Sequence, residues 1–408
     1  MAPPTSRGTL GRVLVIGGNG FLGHHIINQA LSDWTTEAVS SIDLRCDKNR
    51  NPSATYHECD ITDIPKLASL FEKLSPDVVI HTASPAASSD TSVSKALFHR
   101  VNVEGTASVL QACQATPSVK ALVYTSSASV ISDNETDLRN ADERWPVIRG
   151  ALQKEYYSET KAAAEELVLQ ANRVAAPAPA GDLEKKPQQQ QQKQQNKALL
   201  TTALRPAGIF GEGDVQTLAG FLKAYRTGKT NIQLGDNTNI FDFTYVGNVA
   251  HAHLLAAQAL LVTARASTAP LDHEKVDGEV FIITNDSPCY FWDFARAVWK
   301  AAGHEWPQKS KNGNGNGNGN GKGEGNGLQG VWTLSKGMSL VLGSLSGFAF
   351  GLVGKPPTFT RVRAVMATMT RYYNITKAKS VLGYEPLWTL QEGVDRGVGW
   401  FLEQEKSG

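Results

Sequence analysis

Tyr157 and Lys161 stand four residues apart in a segment that runs on into the alanine-rich stretch 162–172. Four residues make about one helical turn, so a helix here carries a phenol and an ammonium on one face. A neighbouring positive charge lowers a phenol's pKa from its usual value of about 10, and the expectation is a tuned proton acceptor. The same spacing recurs at Tyr225 with Lys229 and at Tyr373 with Lys377, so spacing alone selects nothing. Position does. Of the three tyrosines, only Tyr157 lies one connection downstream of a strand-like run, residues 121–127, that ends in the hydroxyls of Thr125, Ser126 and Ser127.

A second group of residues could hold the partner of such chemistry. The apolar run Val13, Leu14, Val15, Ile16 meets Gly17, Gly20 and Gly23, with Phe21 and Leu22 opening an apolar segment of helical period. Strand, tight turn and helix in that order form a dinucleotide cradle. Gly17 can take a turn conformation that a Cβ forbids, Gly20 leaves room for phosphate oxygens, and Gly23 lets helix and strand pack closely. The helix N-terminus offers unpaired N–H groups to the pyrophosphate. A second strand, 38–42, ends at Asp43, where a carboxylate binds both ribose hydroxyls of an adenosine and repels a 2′-phosphate. The cofactor expected is NAD, with NADP left open by Arg45 two residues on. Further along, Asp60 and Ile61 at a strand end could bracket an adenine ring.

The elements that must position these groups alternate as strand and helix: a helix over 64–74, a strand over 78–83, a helix opening near Val101 to Thr106, the strand 121–127, the Tyr157 helix and a strand over 199–204. Such units in a parallel sheet deliver their strand ends to one edge, where ligand contacts collect. The fold class expected is therefore α/β, a Rossmann-type doubly wound parallel sheet with a smaller, partly helical C-terminal substrate lobe. The dinucleotide-binding domain is assigned to 12–206, with 240–285 returning to it, and the substrate lobe to 207–239 and 286–402.

Composition narrows the class of protein. The chain has 408 residues, 41% hydrophobic and 19% charged, which suits an enzyme-sized core. Its net charge of +1 gives no field for holding nucleic acid, and none is expected as a partner. Cys46, Cys59, Cys113 and Cys289 are scattered without paired or metal-type spacing, which fits reduced, buried thiols, and no metal is expected. Residues 1–12 hold no apolar core of signal-peptide length, so the chain is expected to start in the cytosol. His251 and His253 look like an acid–base pair, but two-residue spacing on a helix points them apart, and surface or supporting roles are expected instead.

Taken together, the glycine turn, Asp43, Asp60, the run Asn102 to Thr106, Thr125-Ser126-Ser127 and Tyr157 with Lys161 resemble the extended short-chain dehydrogenase/reductases. Within these the chain is similar to the 3β-hydroxysteroid dehydrogenase branch. The wording of 124–130 (YTSSASV), 203–211 (ALRPAGIFG), 241–253 (FDFTYVGNVAHAH) and 281–286 (FIITND) is closest to its decarboxylating sterol-4α-carboxylate dehydrogenases. The resemblance runs from Val13 to Trp400. It implies NAD(P)-dependent oxidation of a 3β-hydroxy sterol, most specifically a 4α-carboxysterol that then loses carbon dioxide. It also implies that Ser127, the serine before the alanine, holds the alcohol oxygen, while Ser126 reads as a strand-end cap. Asn102 would brace the catalytic helix, Lys161 would also bind the nicotinamide ribose, and Ala83, Ser84 and Pro206 would line the nicotinamide half. Other 3β-hydroxysteroid or triterpenoid dehydrogenases and nucleotide-sugar epimerases share the fold. A non-catalytic dinucleotide sensor would have no use for the Tyr157, Lys161 and Ser127 set.

Two inserts interrupt the match: a proline- and glutamine-rich stretch, 175–197, read as a disordered excursion, and an asparagine–glycine linker, 311–327. Segment 328–354 differs from both. No charge falls between Lys336 and Lys355, and the expectation is an interfacial membrane attachment, with a wall of the substrate pocket as the alternative. Sterol-processing relatives imply the cytosolic face of the endoplasmic reticulum or a lipid droplet, with a homodimer or a complex with other sterol-processing enzymes as further partners.

Overall fold

The computed structural model describes residues 7–85, 93–174, 198–306, 331–352 and 359–407. Both inserts, 175–197 and 311–327, lie outside the described residues, and the apolar segment is described over 331–352.

Seven strands form one parallel sheet: β1 (Thr9–Ile16), β2 (Thr35–Asp43), β3 (Thr55–Glu58), β4 (Val78–His81), β5 (Ala121–Thr125), β6 (Leu200–Pro206) and β7 (Val280–Ile283). Their order across the sheet is β7-β6-β5-β4-β1-β2-β3. This is the doubly wound arrangement that the alternation of elements predicted. The chain walks outward from β1 to β3, then returns to β4 on the other side, and the crevice for a ligand opens where the direction switches. The central strands read as continuous apolar runs because helices cover both faces. Val13, Leu14, Val15, Ile16, Val78, Val79 and Ile80 are all buried.

Local sequence sets the covering helices. α2 (Ile64–Leu74) starts at Asp63, whose side chain accepts the Lys66 N–H, and stops at Ser75 in a left-handed conformation. α1 (Phe21–Asp33) packs against α5 (Val246–Arg265) on one face of the sheet. Among the described residues, α5 alone is long and apolar enough to cross a membrane, and it is core: 72% of its most apolar window is buried.

The smaller lobe holds a four-stranded sheet in the order Cys289–Tyr290, Ile240–Phe241, Arg371–Tyr373, Leu138–Ala141. Aromatic packing fills it: Phe243 stacks on Phe294 at 3.8 Å between centroids, and Phe210, Phe221 and Phe291 meet these rings edge-on or tilted. Such pairs contribute roughly 0.5–1.5 kcal/mol each beyond their buried area. Cys46, Cys59 and Cys113 are buried thiols, whereas Cys289, expected to be buried as well, is only half-buried at the edge of this sheet.

An ion pair ties the helix that carries Tyr157 to the sheet. Glu165 on α4 (Tyr156–Gln170) accepts from Arg205 Nε at 2.9 Å and Nη2 at 2.5 Å, with both side chains 3% exposed. Removing one partner leaves an uncompensated buried charge, so Glu165→Ala should cost about 3–5 kcal/mol in a urea titration. A change below 1 kcal/mol would show that the pair does not anchor α4.

Candidate active site

The glycine turn sits at the C-terminal end of β1. Gly17 has φ +82°, and a Cβ there would lie 2.7 Å from the Ala83 backbone nitrogen at the end of β4. A Cβ on Gly23 would run into the Gly17 carbonyl oxygen, so both glycines are required by close approach of backbone to backbone. Gly20 meets only the Gly17 carbonyl oxygen, at 3.1 Å, and lies exposed at the mouth of the turn, with Phe21 and Leu22 opening α1 behind it.

Asp43 ends β2 beside this turn, and its Oδ2 accepts the Asn19 N–H at 3.0 Å. Asn19 holds the loop from within: its Oδ1 accepts from Ser41 and its Nδ2 donates to the Lys48 carbonyl. Asn19 was not singled out from sequence, where an asparagine between glycines reads as a turn residue. Asp60 follows β3 and is held by Thr62 and by Arg100 Nη2 at 2.6 Å. Partial burial works against ionisation there, but the Thr62 and Arg100 contacts prevail and keep its carboxyl below the usual range. Ile61 is buried against Gly105. Ala83 and Pro206 close the ends of β4 and β6.

The chemistry-bearing residues converge from β5 and α4. Ser127 follows β5, and its Oγ lies 2.8 Å from Ser129 Oγ, which accepts in turn from Ser158 on α4. The Ser127 hydroxyl is also near enough to the Tyr157 phenol to act on its pKa, lowering it. Ser126 donates its N–H to the Leu204 carbonyl, and its hydroxyl is buried without a partner. Phe98 packs edge-on to Tyr157 at 5.8 Å. A π-helical turn, His99–Glu104, precedes α3 (Gly105–Ala115) and aims Asn102 Nδ2 at Thr160 Oγ1, 2.9 Å away. Asn102 thus braces the first turn of α4, one residue before Lys161.

Electrostatics depart from the simple phenol–ammonium picture. Lys161 is 2% exposed, donates to the Thr125 carbonyl at 2.7 Å and lies 4.9 Å over the Tyr124 ring. Burial pulls its pKa down to about 7, with Glu165 opposing. Burial pushes the Tyr157 phenol up to about 12, the Ser127 hydroxyl opposes this, and the Glu155 charge adds to it. The expected lowering of the phenol is therefore reversed. Desolvation of the phenolate dominates, and the ammonium is engaged by the Thr125 backbone carbonyl.

His253 is neither on the surface nor idle. It is fully buried, its Nδ1 donates to the Val249 carbonyl at 2.8 Å, and its Nε2 therefore accepts the Thr125 hydroxyl at 2.8 Å. Thr125 is the residue whose carbonyl holds Lys161, so α5 supports the site through it. His81 on β4 bonds Thr106 at 3.1 Å, and burial keeps both imidazoles neutral, His81 down to about 3 and His253 to about 4. His251 is buried as well, at 3% exposure, which overturns the surface reading for both. The other tyrosine–lysine pairs lie elsewhere: Lys377 pairs with Glu279 at 2.7 Å, and Tyr225 meets His304 edge-on.

Known proteins sharpen this arrangement. Residues 14–311 match the profile described as the 3-beta hydroxysteroid dehydrogenase/isomerase family. The chain belongs to that family. This member is 36% identical, over 96% of its length and 98% of the relative's, to a protein of Saccharomyces cerevisiae named sterol-4-alpha-carboxylate 3-dehydrogenase, decarboxylating. A human protein of the same name is 35% identical over 96% of this chain and 88% of its own. Among solved structures, a Thermus thermophilus UDP-glucose 4-epimerase complexed with NAD superposes with a TM-score of 0.60 at 21% identity, covering 96% of this chain and 99% of its own. A Bacillus anthracis dTDP-glucose 4,6-dehydratase in complex with NAD gives 0.59 at 16%, covering 97% of each chain. At such identities these two share the fold of this 3β-hydroxysteroid dehydrogenase family member.

Proposed function

We propose that this chain is an NAD(P)-dependent dehydrogenase of a 4α-carboxy-3β-hydroxysterol, releasing carbon dioxide after oxidation at C3. The observation that carries the reading is the convergence of Ser127, Tyr157 and Lys161, tied together through Ser129, Ser158 and the Thr125 carbonyl, in a chain similar over nearly its whole length to sterol-4-alpha-carboxylate 3-dehydrogenases.

The cradle fits a dinucleotide, because a Cβ would fill it at Gly17 and Gly23. Gly17, Gly20, Phe21, Leu22 and Gly23 would hold the pyrophosphate with the α1 N-terminus. Asp43 would take the adenosine ribose, which favours NAD over NADP, Asp60 and Ile61 would flank the adenine, and Ala83 and Pro206 the nicotinamide half. When bound, the nicotinamide accepts a hydride from the carbinol carbon. Ser127 holds the alcohol oxygen, Tyr157 takes its proton, and Lys161 donates a hydrogen bond to the nicotinamide ribose while anchored to Thr125. The resulting β-keto carboxylate loses carbon dioxide to leave an enolate, and the proton that Tyr157 took from the alcohol is the one that C4 takes up, so no further acid is required while the site stays dry.

Purified protein incubated with NAD or NADP and a panel of 4α-carboxysterols, simple 3β-hydroxysteroids and UDP-sugars tests this. Reduced cofactor together with carbon dioxide from the carboxysterols alone is the expected result. Turnover of UDP-sugars, or of 3β-hydroxysteroids in preference, would overturn it.

The chain is further proposed to attach to the cytosolic face of the endoplasmic reticulum or to a lipid droplet through the helix Lys336–Leu352. Ser339 and Gly343 turn one face of this helix inward, Gly343 against the backbone of Thr360 and Arg361. Met338, Val341, Leu342 and Leu345, at helical spacing, remain exposed, with Trp332 and Val362 also exposed on the elements to either side. Seventeen residues span about 25 Å at 1.5 Å each, short of a bilayer core, so the helix lies in the interface. Val341→Glu with Leu345→Glu should reduce sedimentation with phosphatidylcholine–phosphatidylserine vesicles at least tenfold while leaving the thermal midpoint unchanged. Equal sedimentation of both proteins would refute the attachment.

A further inference from the structure

Arg371 is a buried cation with an incomplete set of partners. It opens the strand Arg371–Tyr373, between Ile240–Phe241 and Leu138–Ala141, and is 7% exposed. Its Nε donates to the Tyr373 hydroxyl at 2.6 Å and its Nη1 to Asn134 Oδ1 at 3.1 Å, both neutral acceptors. Among the described residues no carboxylate pairs with it, and Nη2 has no acceptor. Arg205 shows the contrast: equally buried, it carries Glu165 on both Nε and Nη2. A guanidinium taken out of water without an anion is costly, and its planar fork is built for a carboxylate.

The position of Arg371 ties it to the reacting end of the site. Asn134, which holds Nη1, donates through Nδ2 to Gln153 Oε1, and that oxygen also accepts the Glu155 N–H. Glu155 caps α4 two residues before Tyr157. Its carboxyl acts through space on both the Tyr157 phenol and Arg371 without contacting the guanidinium. Phenol and guanidinium thus both lie within electrostatic reach of one acidic residue.

We propose that Arg371 is the carboxylate subsite of this active site, its open guanidinium edge taking the carboxylate on the carbon next to the substrate's carbinol. The inference rests on the carboxysterol reading above and adds the residue that makes the choice of substrate. Burial raises the pKa of Glu155, and the charge of Arg371 opposes this. Carbon dioxide leaves as a neutral molecule, so the ketosterol product no longer has a charge for Arg371 to hold, and release is built into the chemistry.

The test measures binding in the Tyr157→Phe enzyme, where no turnover intervenes, with NAD present. The dissociation constants of a 4α-carboxysterol and of its methyl ester are compared with and without Arg371→Gln, and with Arg371→Lys. The parent should prefer the free carboxylate, and Arg371→Gln should erase about 100-fold of that preference, as expected for losing a charge-assisted contact in a buried site. Arg371→Lys should restore part of it. An unchanged preference, or a parallel loss of both ligands, overturns the proposal. Normal carboxysterol turnover by the wild-type enzyme with an unchanged preference would sink this subsite alone, whereas no turnover of carboxysterols by wild type would sink the functional reading beneath it.

Discussion

Replacing Tyr157 by phenylalanine is expected to lower kcat on a 4α-carboxysterol by at least about 10³-fold, within the range for losing a positioned proton acceptor. The ring keeps its edge-on contact with Phe98 and its place on α4, so NAD affinity and stability should be unchanged. The sign of the pH dependence follows from the phenol, which burial pushes up to about 12. A base must be deprotonated to act, so the wild-type rate should climb with pH from neutrality upward, and the residual rate of the variant should lack that rise. A variant retaining a tenth of the activity, or the same pH profile, would remove Tyr157 from the proton transfer.

Gly17→Ala is expected to weaken NAD binding by at least about 100-fold. The residue sits at φ +82°, where an L side chain is strained by about 1–2 kcal/mol, and the added carbon would press on the Ala83 nitrogen at 2.7 Å. The ends of β1 and β4 must then part, at the switch point where the pyrophosphate would sit. Titration of the nucleotide by protein fluorescence gives the answer directly. Binding within a factor of three of wild type would mean that the turn is not the cradle.

These two effects were legible in the sequence because they depend on short-range patterns. Gly17 and Gly23 announce close backbone approach by themselves, and the alternation of apolar runs with helical segments gave the parallel sheet and the helix that carries Tyr157. What could not be read were contacts between distant parts of the chain. Arg371 meets Asn134 across 237 residues, and His253 meets Thr125 across 128. His251 and His253 were placed on a helix by their spacing, with surface or supporting roles; His253 takes the supporting role through Thr125, but neither lies at the surface, because α5 is enclosed by the sheet and α1. The tuning of the phenol was misjudged for a related reason: proximity along a helix is visible in sequence, but desolvation is a property of the folded interior. Segment 328–354 announced its apolar character, while the division of its helix into one inward and one exposed face depended on where residues 359–368 pack.

The most direct measurement follows an isotope. A 4α-carboxysterol carrying deuterium on the carbinol carbon is incubated with the wild-type enzyme and NAD, and the reduced cofactor and released carbon dioxide are quantified together. One deuterium in each reduced nicotinamide and one carbon dioxide per reduced cofactor are predicted. Deuterium retained in the sterol, or carbon dioxide released without cofactor reduction, would contradict the account.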